Sequence, residues 1–225
     1  MGKNLVAFDD VSRTFLIGSV AITALDHATC EVRSGDQIAI MGPSGSGKST
    51  LLALMAQLDG PTSGVVSWPA FEGTSNLRPR HIGLAFQSPS LIPSLSVIEN
   101  VKVPLLILGD TDGIQARAMA VLDAVGLASI ADRLPEELSG GQGQRAGVAR
   151  ALVTNPKLLL ADEPTGQLDQ TTGRTLIATL LAYSARTGAA LVIATHDPAI
   201  ARQMARVWTT GHGILTTIEH TSAKP

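Results

Sequence analysis

Gly42-Pro43-Ser44-Gly45-Ser46-Gly47-Lys48-Ser49-Thr50 follows directly on the apolar run Ile38-Ala39-Ile40-Met41. This is the spacing of a loop between a strand and a helix. Its backbone N–H groups can wrap a polyphosphate, Lys48 can reach the β/γ end, and the Ser49 hydroxyl suits Mg²⁺. Such a loop binds nucleotide. Further along, Leu138-Ser139-Gly140-Gly141-Gln142 opens a second segment whose glycines and helix start suit an anion.

A third group of polar residues sits at the ends of apolar runs. Leu158-Leu159-Leu160-Ala161 leads into Asp162-Glu163, so a buried strand delivers two carboxylates to the carboxyl edge of a sheet, where open α/β sheets bind ligands. Strand side chains alternate faces, so Asp162 is expected to face the Mg²⁺ shell and Glu163 the far side of the γ-phosphate, where an attacking water would sit. Leu191-Val192-Ile193-Ala194-Thr195 delivers His196 to the same edge, placed to donate to a γ-phosphate oxygen; a structural histidine is the alternative. Gln87, after Ile82–Phe86, is the third strand-end group, within reach of Mg²⁺ or the water.

In this order, Gly42–Ser49 (Walker A), Gln87 (Q-loop), Leu138–Gln142 (signature), Leu158–Glu163 (Walker B), Gly166–Asp169 (D-loop) and His196 (H-loop) give a chain that resembles the nucleotide-binding subunit of ATP-binding cassette (ABC) proteins over nearly its whole length. The wording Leu160–Gly166, Phe86-Gln87 and Glu99-Asn100-Val101 is most similar to the branch that powers lipoprotein release and macrolide-type export. The resemblance implies an α/β fold: a P-loop NTPase (RecA-like) core with an N-terminal antiparallel β subdomain and an α-helical insert. It implies a dimer, homodimeric or paired with another cassette subunit, that sandwiches two ATP molecules. Each ATP would lie between one subunit's Gly42–Thr50 and the other's Ser139-Gly140-Gly141. Glu163 would be the general base and His196 would fix the γ-phosphate and water. Asp169 would tune geometry across the interface, and Gln87 would join Ser49 and Asp162 at Mg²⁺, Asp162 through water. Phe15 stands where the family stacks an aromatic ring on adenine, its alternative being an ordinary core ring. The expected partner is a separate transmembrane permease, received in a groove of Gln87–Leu95 and Val97–Leu108, which would make the chain peripheral on the inner face of the cell membrane. A cassette regulating cell-wall hydrolysis through a permease-like partner is the alternative; a cassette acting on nucleic acid ranks lower, because neither a long coiled-coil insertion nor a second cassette is present.

The chain that must position these groups has 225 residues, 44% hydrophobic and 16% charged, enough for a substantial core in one domain. Seventeen Lys+Arg against nineteen Asp+Glu, with no basic block, gives no electrostatic reason to expect nucleic acid. Cys30 is the single cysteine and reads as a half-buried strand thiol in a reducing, cytosolic setting. Apolar runs are far shorter than the ~20 residues of a bilayer span.

Strands are expected at Leu5–Phe8, Ala28–Val32, Gln37–Met41, Val65–Trp68, Lys157–Ala161 and Ala189–Thr195, with a hairpin at Val207–Leu215. Helices are expected at Ser49–Leu58, Ser96–Leu108 with an interruption at Pro104, Ile114–Val125, Gln142–Leu152, Gly173–Tyr183 and Ala199–Ala205. The core would comprise 1–87 and 156–216, the helical subdomain 88–155, and a tail 217–225, frayed at Thr221–Pro225. Three departures from the family stand out: Gly143 and Gly147 inside the helix after the signature, expected to loosen it, a short Trp68–Arg80 segment, and uncharged wording in the last hairpin.

Overall fold

The computed structural model describes residues 2–74 and 76–219. The chain opens with β1 (Asn4–Ile17), β2 (Val20–Arg33) and β3 (Gln37–Met41), then α1 (Lys48–Met55), β4 (Ser63–Ser67) and β5 (Ile82–Ala85). Three helices follow, α2 (Val97–Ile107), α3 (Ile114–Ala124) and α4 (Gly140–Leu152). It closes with β6 (Leu158–Asp162), α5 (Gln170–Thr187), β7 (Ala190–Thr195), α6 (Pro198–Ala201), β8 (Arg206–Gly211) and β9 (Ile214–Glu219).

These strands form one sheet in the order β4-β1-β2-β9-β8-β3-β7-β6-β5. From β8 to β5 the neighbours are parallel, while β1 pairs antiparallel with β2 and β4. The expected architecture of parallel core, N-terminal antiparallel part and helical insert is present. The insert leaves the sheet after its edge strand β5 and returns in the adjacent β6.

Two apolar clusters lie on opposite faces of the parallel part, as period-two alternation dictates. Ile38, Ile40, Leu158, Leu160, Val192 and Ala194 pack with the α1 residues Leu51, Leu52, Leu54 and Met55 and with Trp208. Ala39, Leu159, Ala161, Leu191 and Ile193 pack instead with α2, α4 and α5, through residues such as Val101, Leu105, Ala146, Val148 and Leu180. The helical insert therefore shares its core with one face of the sheet.

Several boundaries differ from expectation for local reasons. Helix α2 runs through Pro104 without a break, since the ring removes one N–H while Val101 and Leu105 on either side are fully buried. Helix α1 ends at Met55 because Gln57 takes a left-handed backbone, φ 56°. Helix α5 starts three residues before Gly173, capped by Asp169, whose Oδ1 accepts from the N–H groups of Thr171 and Thr172 at 3.0 Å. Helix α6 stops at Ala201, after which Gln203 and Met204 donate three residues back, to Ile200 and Ala201, and the turn tightens.

The N-terminal hairpin reaches Ile17 and Val20, well past the expected strands. Residues 217–219, assigned to a tail, belong to β9, where Arg206 pairs with Glu219. The turn between β8 and β9 is His212-Gly213, both at positive φ (50° and 80°), as a two-residue hairpin requires. Thr221–Pro225 lies outside the described residues.

Helix α4 runs unbroken through Gly143 and Gly147. Both are buried, and a Cβ on either would sit 3.4 Å from Pro89, so the segment after Gln87 packs against the helix at these two positions. Arg150, one turn further, donates to the carbonyls of Pro89 (2.8 Å) and Ser90 (2.9 Å) and holds that segment down. Asn100 of α2, fully buried, fixes the far end of it by accepting from Ile92 N–H at 2.7 Å and donating to Leu95 C=O at 2.9 Å.

Candidate functional site

The residues between β3 and α1 turn on glycines that no other residue could replace. A Cβ at Gly42 would fall 2.4 Å from the Thr210 carbonyl, and Gly47 has φ 102° with its would-be Cβ 2.2 Å from the Ala24 carbonyl. No side chain caps α1, so the N–H groups of its first turn stay directed at the loop Pro43–Gly47, where an anion is favoured. Lys48 is 8% exposed and its Nζ donates to the carbonyls of Gly42 (2.7 Å) and Pro43 (3.0 Å). The ammonium thus folds back on the loop it belongs to. Ser46 is buried, its Oγ 2.7 Å from the Thr210 hydroxyl, which in turn donates to the Met41 carbonyl. Ser44 and Gly45 are exposed at the rim, and Thr50 is half-buried within the first turn of α1.

At the neighbouring strand end, the Ser49 hydroxyl donates to the Asp162 carboxylate. Burial pushes the Asp162 carboxyl above the usual carboxylate range; the Ser49 hydrogen bond opposes this, the Glu163 charge adds to it and Lys48 counters it. Glu163 follows at φ 45°, a left-handed conformation that costs a residue with a Cβ on the order of 1–3 kcal/mol and is kept only where the surroundings enforce it. Its N–H donates to the Ala194 carbonyl (2.9 Å) of β7 and its carbonyl accepts from Gly166 N–H at 3.0 Å. That backbone aims the side chain at His196: Oε1 of Glu163 accepts from Nδ1 of His196 at 2.9 Å. The carboxylate is 11% exposed and the imidazole 76%, so His196 stands outside Glu163.

His196 borders two hollows. One of about 400 Å³ is lined by Met41, Gly42, Pro43, His196, Thr209 and Thr210. The other, about 360 Å³, is lined by Glu163, Thr165, Gly166, Thr195, His196, Asp197 and Pro198. The structure therefore assembles Gly42–Thr50, Asp162, Glu163 and His196 along one edge. Gln87 is exposed beyond β5, whose Ala85 is in register with Ala161 of β6, so it stands at the adjoining position of that edge.

The signature Leu138–Gln142 is not brought to the phosphate loop of its own chain. Ser139 caps α4 in a reciprocal pair, its Oγ accepting from Gln142 N–H (3.2 Å) and its N–H donating to Gln142 Oε1 (2.8 Å). Gly140 and Gly141 abut the segment after Glu163: a Cβ would come 2.5 Å from Gln167 Oε1 and 2.8 Å from Leu168 Cδ2 respectively. Ser139 and Gly140 are exposed, and Leu138 is half-buried. Asp169 is occupied within its own chain, capping α5 and accepting from the Thr172 hydroxyl at 2.5 Å; that hydroxyl, with backbone N–H groups, holds its carboxyl below the ordinary range. Phe15 is not core. It is 36% exposed on the β1–β2 hairpin, its ring covered by the Arg13 guanidinium at 4.5 Å.

Two residues of this assembly escape sequence reasoning. Thr210 anchors the phosphate loop from the far end of the chain, and nothing in its neighbourhood signals that. Gln144 is 2% exposed, and its Nε2 donates to the Glu163 carbonyl at 2.6 Å while its Oε1 accepts from Gln167 N–H at 2.9 Å. Its spacing of four and eight from the buried Val148 and Leu152 was the available signal: an amide on an otherwise apolar helix face.

A family model described as "ABC transporter" matches residues 25–166. The chain is 41% identical over 216 residues to the lipoprotein-releasing system ATP-binding protein LolD of Chromohalobacter salexigens, covering 92% of the chain and 91% of that protein. It is 38% identical to the LolD of Novosphingobium aromaticivorans, covering 96% and 100%. It is also 37% identical to the macrolide export ATP-binding/permease protein MacB of Syntrophobacter fumaroxidans, of which it spans 31%. Among solved structures, the dimeric post-hydrolysis state of the ATP-binding cassette MJ0796 bound to ADP and Pi superimposes with a TM-score of 0.89 at 36% identity, covering 96% of this chain and 98% of that one.

Proposed function

Because the chain belongs to the ABC transporter family and is one of its ATP-hydrolysing subunits, we propose that it closes as a dimer on two ATP molecules and drives a separate membrane permease, in the manner of a lipoprotein-releasing system. The observation that carries this reading is the edge on which the phosphate loop, the Ser49–Asp162 pair and the Glu163–His196 pair meet. Alone, that edge has a base and an imidazole; Ser139 and Gly140 are exposed, and no signature residue lines either hollow beside His196. A second copy, or a paired cassette, supplies a second wall with Ser139-Gly140-Gly141.

On binding, the γ-phosphate gives Lys48 a better partner than the carbonyls of Gly42 and Pro43. Phe15, one face of whose ring carries the Arg13 guanidinium, offers the other face to adenine. Glu163 accepts the proton of a water placed in line with the γ-phosphate, and His196 orients the phosphate and that water. The products are ADP and phosphate, which take away the bridging charge. Mg²⁺, when bound, neutralises charge developing on the β- and γ-oxygens. The hydroxyl of Ser49, the Asp162 carboxylate through a water and the Gln87 amide oxygen suit it: all are hard oxygen donors, and a cation relieves the strained ionisation of Asp162. Asp169 acts across the dimer by fixing the start of α5.

The permease is received beside Gln87–Leu95 and α2, where the clamped segment after Gln87 links it to the edge. None of the described helices is long and apolar enough to cross a membrane. In this reading the permease is what holds the chain at the inner face of the membrane. The helical part 88–155 is, in this reading, one subdomain, set on a core of 1–87 and 156–219.

The test is Glu163→Gln. It retains ATP binding, loses steady-state hydrolysis and accumulates an ATP-bound dimer in gel filtration with Mg²⁺. A strictly monomeric Glu163→Gln at saturating ATP would overturn the two-chain site.

A further inference from the structure

We propose that Gln144 is a positioning residue for Glu163, a buried amide that ties the direction of the hydrolytic carboxylate to the helix bearing the signature; this rests on the reading of Glu163 as the base. Gln144 is one helical turn into α4 from Gly140, almost wholly buried, and spends both ends of its carboxamide on the segment that follows β6. Its Nε2 donates to the Glu163 carbonyl at 2.6 Å, and its Oε1 accepts from Gln167 N–H at 2.9 Å. At this length only glutamine offers a donor and an acceptor on one terminal group without charge.

Glu163 is where such a tie matters. Its φ of 45° is not a conformation the residue adopts unaided, and the Gly166 turn supplies only one further bond to its carbonyl. The second, from Gln144, fixes the plane of the 163–164 peptide and with it the line from Cα to the carboxylate that meets His196. The same helix sets Gly140 and Gly141 close against Gln167 and Leu168, where a Cβ would come 2.5 Å from Gln167 Oε1 and 2.8 Å from Leu168 Cδ2. Any shift of α4 at its signature end is therefore delivered to Glu163 through the amide and through the packed 167–168 segment together. In a dimer of the kind proposed, that end of α4 touches the partner's nucleotide, so Gln144 joins closure at one nucleotide to the aim of the base at the other.

Gln144→Met keeps shape and apolar fit but removes both hydrogen bonds; Gln144→Leu removes both with a different apolar shape. Steady-state ATPase kinetics, titration with a fluorescent ATP analogue and gel filtration with ATP and Mg²⁺ are measured for both, and for Glu163→Gln alone. Since a misplacement of about 1 Å can cost on the order of 100-fold in rate, kcat is expected to fall about 10- to 100-fold in each. KM and nucleotide affinity should stay within about 2-fold, because both polar atoms of Gln144 are spent on the backbone of Glu163 and Gln167. Gln144→Met in the Glu163→Gln background should dimerise with ATP as Glu163→Gln does. Wild-type kcat in Gln144→Met, or a rise in KM with kcat unchanged, overturns the proposal. If Glu163→Gln itself hydrolyses ATP at the wild-type rate, the reading of the base fails instead, whatever Gln144 does.

Discussion

Ser139 has two jobs that one pair of substitutions can separate. Within the chain it is the N-cap of α4, its Oγ accepting from Gln142 N–H. Across the proposed dimer it faces the γ-phosphate held by the other subunit. Ser139→Ala removes the cap and is worth about 1 kcal/mol, or roughly 2–4 °C in Tm for a domain of this size. Ser139→Asp caps as well as serine and favours the positive helix end, so Tm should stay within about 1 °C of wild type. The aspartate, however, puts a negative charge against the γ-phosphate. Two unit charges about 4 Å apart at an effective dielectric of about 20 repel by roughly 4 kcal/mol, close to a 1000-fold loss at each of two equivalent sites. Sedimentation velocity in the Glu163→Gln background with ATP and Mg²⁺ reads the result. At protein concentrations where Glu163→Gln is fully dimeric, the Ser139→Asp version should remain monomeric, with monomer ATP affinity unchanged. An ATP dimer of undiminished stability in that variant would refute the trans placement of the signature, and a drop in Tm larger than that of Ser139→Ala would show that the effect lies in the fold.

Lys48→Ala should weaken ATP binding by about 10- to 100-fold, the worth of charge-assisted hydrogen bonds to the phosphates, in a fluorescent-nucleotide titration; unchanged affinity would contradict the role of the loop. Gly143→Ala should raise Tm by about 2–4 °C, since the added methyl meets Pro89 at an ordinary 3.4 Å while the helix gains roughly 0.8–1.0 kcal/mol in propensity. Burial pushes the Cys30 thiol up to about 12, so iodoacetamide at pH 8 should alkylate the native chain far more slowly than the urea-unfolded one, and equal rates would mean the strand thiol is open.

What the sequence discloses best is what neighbouring residues settle among themselves. Ile38–Met41 into Gly42–Thr50 is a strand, a turn with forced positive φ and a helix, each dictated within a few residues. The same holds for Asp162-Glu163 and His196, which inherit a common edge from two adjacent parallel strands. The misjudged elements depend on distant partners. The β1–β2 hairpin runs to Ile17 and Val20 through strand pairing although Leu16, Ile17 and Val20 are exposed, so no burial pattern marks its tip. That Pro89 lies against Gly143 and Gly147 is not legible around either glycine. Thr210 reaches Ser46 across 164 residues, and Gln144 reaches Glu163 across 19, and in both cases the meaning lies in the pairing and not in either residue type.

The alternation along β6 has a consequence for how descendants of this chain can drift. Leu158 and Leu160 belong to the layer beneath α1, Leu159 and Ala161 to the layer beneath α4 and α5, yet all four set the height at which Asp162 and Glu163 emerge. A methylene lost at Leu160 is compensated from the α1 side and one lost at Leu159 from the insert side. Genetic suppressors of activity lesions in this strand should therefore sort into two non-overlapping sets, chosen by whether the lesion sits at an odd or an even position.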